Sequence, residues 1–294
     1  MKDWLGYKDK VCVVTGASSG MGRAVVENLV GEGAVVYGMD RNPCDVEGVT
    51  FVQADLSDKA SIDAAFAQLP DHIDRFFGIA GLSGARTSYW TTFTVNFIAN
   101  KYMTDEYLER RMGRGGAIVY VTSVGGLMWE KWAREYKKVM SCHTWEEMVA
   151  FMKKVSPKDG VGGMSYVLSK RCMNYYASLK AVELGERGIR VNAVLPGSTD
   201  TGMKAEFEKM AGGAEKLKME NGAVGRLATS QEMAEPIIYL NSDMASFVSG
   251  LMMIVDMGHN AAKTLGFAKN QLDVPAALPI YNMRFMQKKF KESY

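Results

Sequence analysis

The four cysteines of this 294-residue chain, Cys12, Cys44, Cys142 and Cys172, form no C-x-x-C pair. With only three histidines beside them they offer no metal-ligand spacing either. A disulfide framework and a zinc site are therefore not expected, and a reducing cytoplasm fits. Cys12, inside an apolar run, reads as a small buried thiol. No apolar run is long enough to span a bilayer, and the opening MKDWLGYKDK lacks the apolar core of a secretion signal. The formal net charge is +2 and no basic stripe is interleaved with aromatics, so nucleic acid is set aside as a partner. Repeats, low-complexity stretches and linkers are missing too, and the chain reads as one domain over 1–294.

What is present is an alternation. Strand-like apolar runs occur at 11–16, 34–40, 51–55, 75–81, 117–123, 190–197 and 251–258, and most are separated by helical patterns such as 58–69 and 94–111. Short apolar runs between helices predict a doubly wound α/β protein, with a seven-stranded parallel sheet covered on both faces. Methionine is abundant at 21 residues, which suits adaptable apolar pockets.

The first run ends in Thr15-Gly16-Ala17-Ser18-Ser19-Gly20-Met21-Gly22 and leads directly into a helical pattern. Glycines there let the backbone approach a pyrophosphate, and the helix N-terminus adds amide donors and a favourable dipole. Asp40 closes the second run at the distance where a carboxylate meets the adenosine ribose. Its charge would repel a 2′-phosphate, so NAD is expected rather than NADP, although neighbouring Arg41 could hold such a phosphate. Asp55 closes the third run and has two readings: a partner for the adenine amino group, or a cap for the helix that follows. Tyr166 and Lys170 stand one turn apart in a strongly helical segment, and a nearby ammonium would draw the phenol pKa down toward a working range.

Glycine loop, acid, Ser123 at a strand end, Y-x-x-x-K and Pro196-Gly197 occur in this order. Together they resemble the short-chain dehydrogenase/reductase family, from about Lys10 to Asn260. The resemblance implies a Rossmann fold and reversible hydride transfer between a nicotinamide cofactor and a substrate carbon. It implies that Tyr166 is the general acid/base, that Lys170 lowers its pKa and binds the nicotinamide ribose, and that Ser123 polarises the substrate oxygen. Asn96 would anchor a water leading to the lysine. Gly16, Ser18, Ser19, Gly20, Met21, Gly22, Asp40, Asp55, Leu56, Ala80, Gly81, Tyr166 and Lys170 would contact the cofactor, with Pro196, Gly197, Thr199 and Thr201 at its nicotinamide end. A homo-oligomer, dimer or tetramer, is expected. One departure is visible. The family's Asn-Asn-Ala-Gly is here Gly78-Ile79-Ala80-Gly81, so the local hydrogen bonding must differ.

Relatives place the serine and tyrosine about a dozen residues apart, whereas here a helical insertion of about 124–163 intervenes. Thr144-Trp145-Glu146-Glu147 has the form of a capping box, and three of the five tryptophans, Trp129, Trp132 and Trp145, lie in this stretch. It would roof the substrate pocket, alter a subunit interface, or do both. The insertion and the run AGLSG resemble the bacterial 3α-hydroxysteroid dehydrogenase/carbonyl reductase branch, which implies a flat apolar substrate such as a steroid or bile acid. Other carbonyls, quinones and sugar-like alcohols are the alternative, and a non-catalytic nucleotide-binding scaffold is the reading from another class. An extension of about 261–294 is longer than the fold requires, and its basic, amphipathic end is expected to dock on a neighbouring subunit or over the site.

Overall fold

The computed structural model describes residues 3–156, 158–160, 162–219 and 224–267. Seven strands, β1 Val11–Thr15, β2 Val35–Asp40, β3 Val49–Gln53, β4 Arg75–Gly78, β5 Ala117–Val121, β6 Arg190–Pro196 and β7 Met252–Val255, pair in parallel throughout. Their spatial order is β3-β2-β1-β4-β5-β6-β7. After β3 the chain crosses back past β1, so the connections at the carboxyl ends of β1 and β4 part in opposite directions and open a crevice there. The expected Rossmann architecture is present. The third strand begins two residues earlier than the apolar run, because Val49 pairs with Val36 at the foot of β2.

Both faces of the sheet are covered, which explains the near-continuous apolar strands. Val13, Ile118 and Tyr120 point into one core with the long helical run and α8 Gly162–Glu183; Cys12, Val14, Val119 and Val121 point into the other with α1 Gly20–Gly31 and α11 Ser230–Asn241. The long run starts earlier than the sequence pattern, at α3 Tyr89–Phe93, and continues through α4 Ala99–Met103 to α5 Glu109–Arg111. Two π-helical turns, Thr94–Ile98 and Thr104–Leu108, interrupt it. Such turns widen a helix by one residue and re-aim its side chains.

The insertion forms a 3-10 turn Val124–Gly126, a second one Trp129–Trp132, and then α6 Ala133–Met140 and α7 Trp145–Val155. Thr144 and Glu147 make the expected capping box. Tyr136, Val139, Trp145, Met148 and Met152 are buried in the same core as Leu168, Cys172 and Tyr176 of α8. The tryptophans are thus chiefly packing residues on the outer side of α4 and α8: Trp145 meets Tyr102 edge-on at 5.5 Å and Trp129 meets Tyr175 at 5.8 Å. Among the described residues no helix is long and apolar enough to cross a membrane. Of the extension, only its start is described, within α12 His259–Thr264 and the turn after it; the basic end lies outside the described residues.

Candidate active site

A cleft of about 520 Å³ runs along the carboxyl ends of the strands. It is lined by Gly16, Ser18, Ser19, Gly20, Met21, Gly22, Asp40, Asp55, Leu56, Ala80, Gly81 and Thr201, twelve of the residues singled out from the sequence. The turn from β1 to α1 depends on glycine at Gly22, where a Cβ would stand 2.0 Å from the Gly16 carbonyl oxygen. At the tip of β2, Asp40 accepts hydrogen bonds from the Ser18 amide at 3.1 Å and the Asn42 amide at 3.0 Å. Its carboxylate is thereby fixed against the glycine loop, where a ribose hydroxyl would meet it. The alternative reading of Asp55 fails, since α2 Lys59–Phe66 is capped by Asp58, which accepts from Ala60 and Ser61. Asp55 instead holds the turn at Ser57, with bonds of 2.8 Å and 2.7 Å, and faces the cleft.

The Gly78-Ile79 departure has a physical cause. A Cβ on Gly78 would lie 2.6 Å from the Tyr120 ring and 2.8 Å from Asn100 Oδ1, so no asparagine side chain fits. Thr15 ties the strand ends instead: its hydroxyl accepts from the amides of Ile79 at 3.0 Å and Ala80 at 3.1 Å.

Ser123, Tyr166 and Lys170 are 43 and 4 residues apart in sequence, by subtraction, yet form one cluster next to the cleft. Ser123 follows β5 and opens the first turn of the insertion, its hydroxyl accepting from the Gly125 amide at 3.0 Å. A Cβ on Gly125 would lie 3.4 Å from Ser123 Oγ and 3.7 Å from the Tyr166 ring, so this turn of the insertion reaches the cluster. Lys170 is 5% exposed, donates to the Val121 carbonyl at 3.0 Å, and has its ammonium 5.6 Å from the centre of the Tyr166 ring. Burial lowers its pKa to about 8. The Tyr166 hydroxyl departs from the expectation: burial holds it above its usual value, and hydrogen bonding with Ser123 is what pulls it down. Asn96, within the first π-turn, is held on both sides: Oδ1 accepts from the Leu82 amide at 2.8 Å, and Nδ2 donates to the Leu82 carbonyl and to Ser169. Gly81 sits directly above, where a Cβ would be 3.3 Å from Asn96 Oδ1 and 3.4 Å from Lys170 Nζ.

Pro196, Gly197 and Thr199 do not line the cleft. Pro196 ends β6, Gly197 donates to Val255 at 2.9 Å, and Thr199 pairs with Ala228 beyond it. Thr201 is the member of that loop facing the glycine turn, 3.5 Å from where a Cβ on Gly20 would be. The sequence reading missed Ser83, Arg86, Glu206 and Phe207. The first three line the cleft, with Glu206 bonded to both Ser83 and Arg86, and Phe207 lies edge-on to Tyr166 at 5.7 Å. No local pattern marks them, because their partners come from distant segments.

Residues 10–137 match the family described as short chain dehydrogenase, and residues 147–260 match one described as Enoyl-(Acyl carrier protein) reductase. A coniferyl-alcohol dehydrogenase from Pseudomonas sp. strain HR199 is 33% identical over 253 residues, covering 85% of this chain and 96% of that one. A 2,5-dichloro-2,5-cyclohexadiene-1,4-diol dehydrogenase from Sphingobium indicum is 29% identical over 275 residues, covering 86% and 97%. Among solved structures, the 3-alpha-hydroxysteroid dehydrogenase from Pseudomonas sp. B-0831 complexed with NADH has a TM-score of 0.72 at 24% identity, covering 88% of this chain and all of that one; this likeness is one of fold.

Proposed function

We propose that this chain, which belongs to the short-chain dehydrogenase/reductase family, is an NAD(H)-dependent dehydrogenase that converts an alcohol on or beside an apolar ring to its carbonyl. The observation carrying the reading is the meeting of Ser123, Tyr166 and Lys170 beside the glycine-lined cleft. The cleft residues fit a dinucleotide: Gly22 leaves the turn open, and Asp40 presents a fixed carboxylate at the ribose position. NAD⁺, held by the glycine turn and Asp40, would supply the acceptor for the hydride of the carbinol carbon. The rest falls to the chain. Ser123 orients the substrate oxygen, and Tyr166 takes its proton. Lys170, charged below about pH 8, stabilises the phenolate form of Tyr166 that takes this proton. Asn96 sets the position of the helices around that lysine, and the 196–201 loop flanks the nicotinamide end.

The substrate class rests on the relatives, one named for coniferyl alcohol, an allylic alcohol conjugated to an aromatic ring, and one for a chlorinated cyclohexadiene diol. A hydroxysteroid is the second reading, favoured by the apolar wall of Leu82, Val95 and Met203. One panel separates them: coniferyl alcohol and a 3α-hydroxysteroid, each with NAD⁺ and NADP⁺, followed by absorbance of the reduced cofactor. No turnover of any alcohol with either cofactor would favour a nucleotide-binding scaffold. Tyr166→Phe is expected to lower kcat at least about 10²-fold while NADH binding persists; unchanged turnover would overturn the assignment.

Self-association belongs to the same proposal. β7 is an edge strand, and Leu251, Ile254, Met257 and fully exposed Phe247 leave apolar surface near it. Phe247→Asp is expected to lower the mass found by light scattering, and a monomeric wild type would contradict it.

A further inference from the structure

α9 Lys204–Ala211 lies across the substrate end of the cleft, and two successive side chains hold it there. Glu206 is bonded to the buried Ser83 hydroxyl and the Arg86 guanidinium, both from the loop after β4. About 100° further round the helix, Phe207 turns its ring to Tyr166, centroids 5.7 Å apart at 67°. Both residues are half-buried, so each keeps part of its surface open. Leu82, Val95 and Met203 continue the apolar wall along the neighbouring cleft.

We infer that Phe207 is a specificity-determining residue, forming the wall against which a planar conjugated group on the reacting carbinol carbon lies. The inference rests on the proposed function and deepens it. A hydroxyl presented to Tyr166 brings the group on its carbinol carbon within reach of the Phe207 ring. Edge-to-face or offset packing rewards a flat, conjugated group there over a small saturated chain. Glu206 fixes the distance by tying α9 to the opposite side of the cleft, which makes Phe207 a wall of set position.

Phe207→Ala and Phe207→Leu test this with coniferyl alcohol and butan-2-ol as paired probes. The expected result for Phe207→Ala is a loss of about tenfold or more in kcat/KM for coniferyl alcohol, mainly through KM, against less than about twofold for butan-2-ol. The pH profile of kcat is expected to stay in place. Phe207→Leu, which keeps bulk without the aromatic face, should lose discrimination in the same direction, and it decides the matter if the alanine variant no longer binds NADH. Equal losses for both alcohols, or a displaced pH profile, would show that Phe207 merely buttresses Tyr166. A wild type that prefers butan-2-ol overturns the inference while leaving the dehydrogenase reading intact. A wild type that oxidises neither these nor the steroid overturns the dehydrogenase reading itself.

Discussion

Lys170 is nearly sealed from water, with a single backbone carbonyl as its hydrogen-bond partner among the described residues. Burial lowers its pKa from 10.5 to about 8, a differential cost to the charged form of about 3 kcal/mol. The unfolded chain holds this proton up to about pH 10.5 and the folded chain releases it near 8, so between those values the unfolded state binds more protons. Stability from this group therefore rises as pH rises from about 8 to 10.5, and the full cost is carried below pH 8. Lys170→Met is expected to raise the melting temperature at pH 7, with the advantage over wild type shrinking as the buffer approaches pH 10. The same variant should lose most of its alcohol oxidation. A melting difference constant with pH would mean that Lys170 keeps its ordinary pKa inside the fold. The site is thus placed at a local cost in stability that the surrounding core must offset.

The insertion helices show the opposite balance. Trp145 is almost fully buried, stands at the start of α7 and packs edge-on to Tyr102 of α4. Trp145→Ala should destabilise the protein by about 3 kcal/mol, read by urea unfolding, through the cavity it leaves. Because α7 contributes no residue to the cleft, kcat/KM for coniferyl alcohol should stay within about twofold. Altered substrate preference at unchanged stability would instead make the insertion a pocket roof. The start of α7 was legible because its capping box is local chemistry, and the strands were legible because burial on both faces leaves long apolar runs. The π-turns were not. They bring Asn96 to Ser169 and Asp105 to Tyr176, partners 73 and 71 residues away, and no window of sequence records such a distance. Glu206 and Ser83, 123 residues apart, are hidden for the same reason. Ser123, Tyr166 and Lys170 were found despite their spacing because each sits at a diagnostic place, a strand end or one helix face.

At the scale of the whole molecule, a dinucleotide lying along the crevice would touch loops after β1, β2, β3, β4 and β6, five segments far apart in the sequence. Binding there stabilises the folded state as a unit: at a free concentration 100 times Kd the gain is about 2.7 kcal/mol. For a domain of this size that corresponds to a melting shift of about 5 °C. On the proposed reading, Asp40 selects the dinucleotide that delivers it. The Ser18 and Asn42 amides fix its carboxylate against the glycine turn, where under that reading a 2′-phosphate would meet like charge at close range. NADH is therefore expected to raise the melting temperature well above what NADPH achieves at equal concentration. Asp40→Ala removes the repulsion and leaves Arg41 to attract the phosphate, so the NADH shift should fall and the NADPH shift should rise to equal or exceed it. Scanning calorimetry with both dinucleotides on both proteins reads this without any turnover. Equal shifts for wild type would remove Asp40 from cofactor choice.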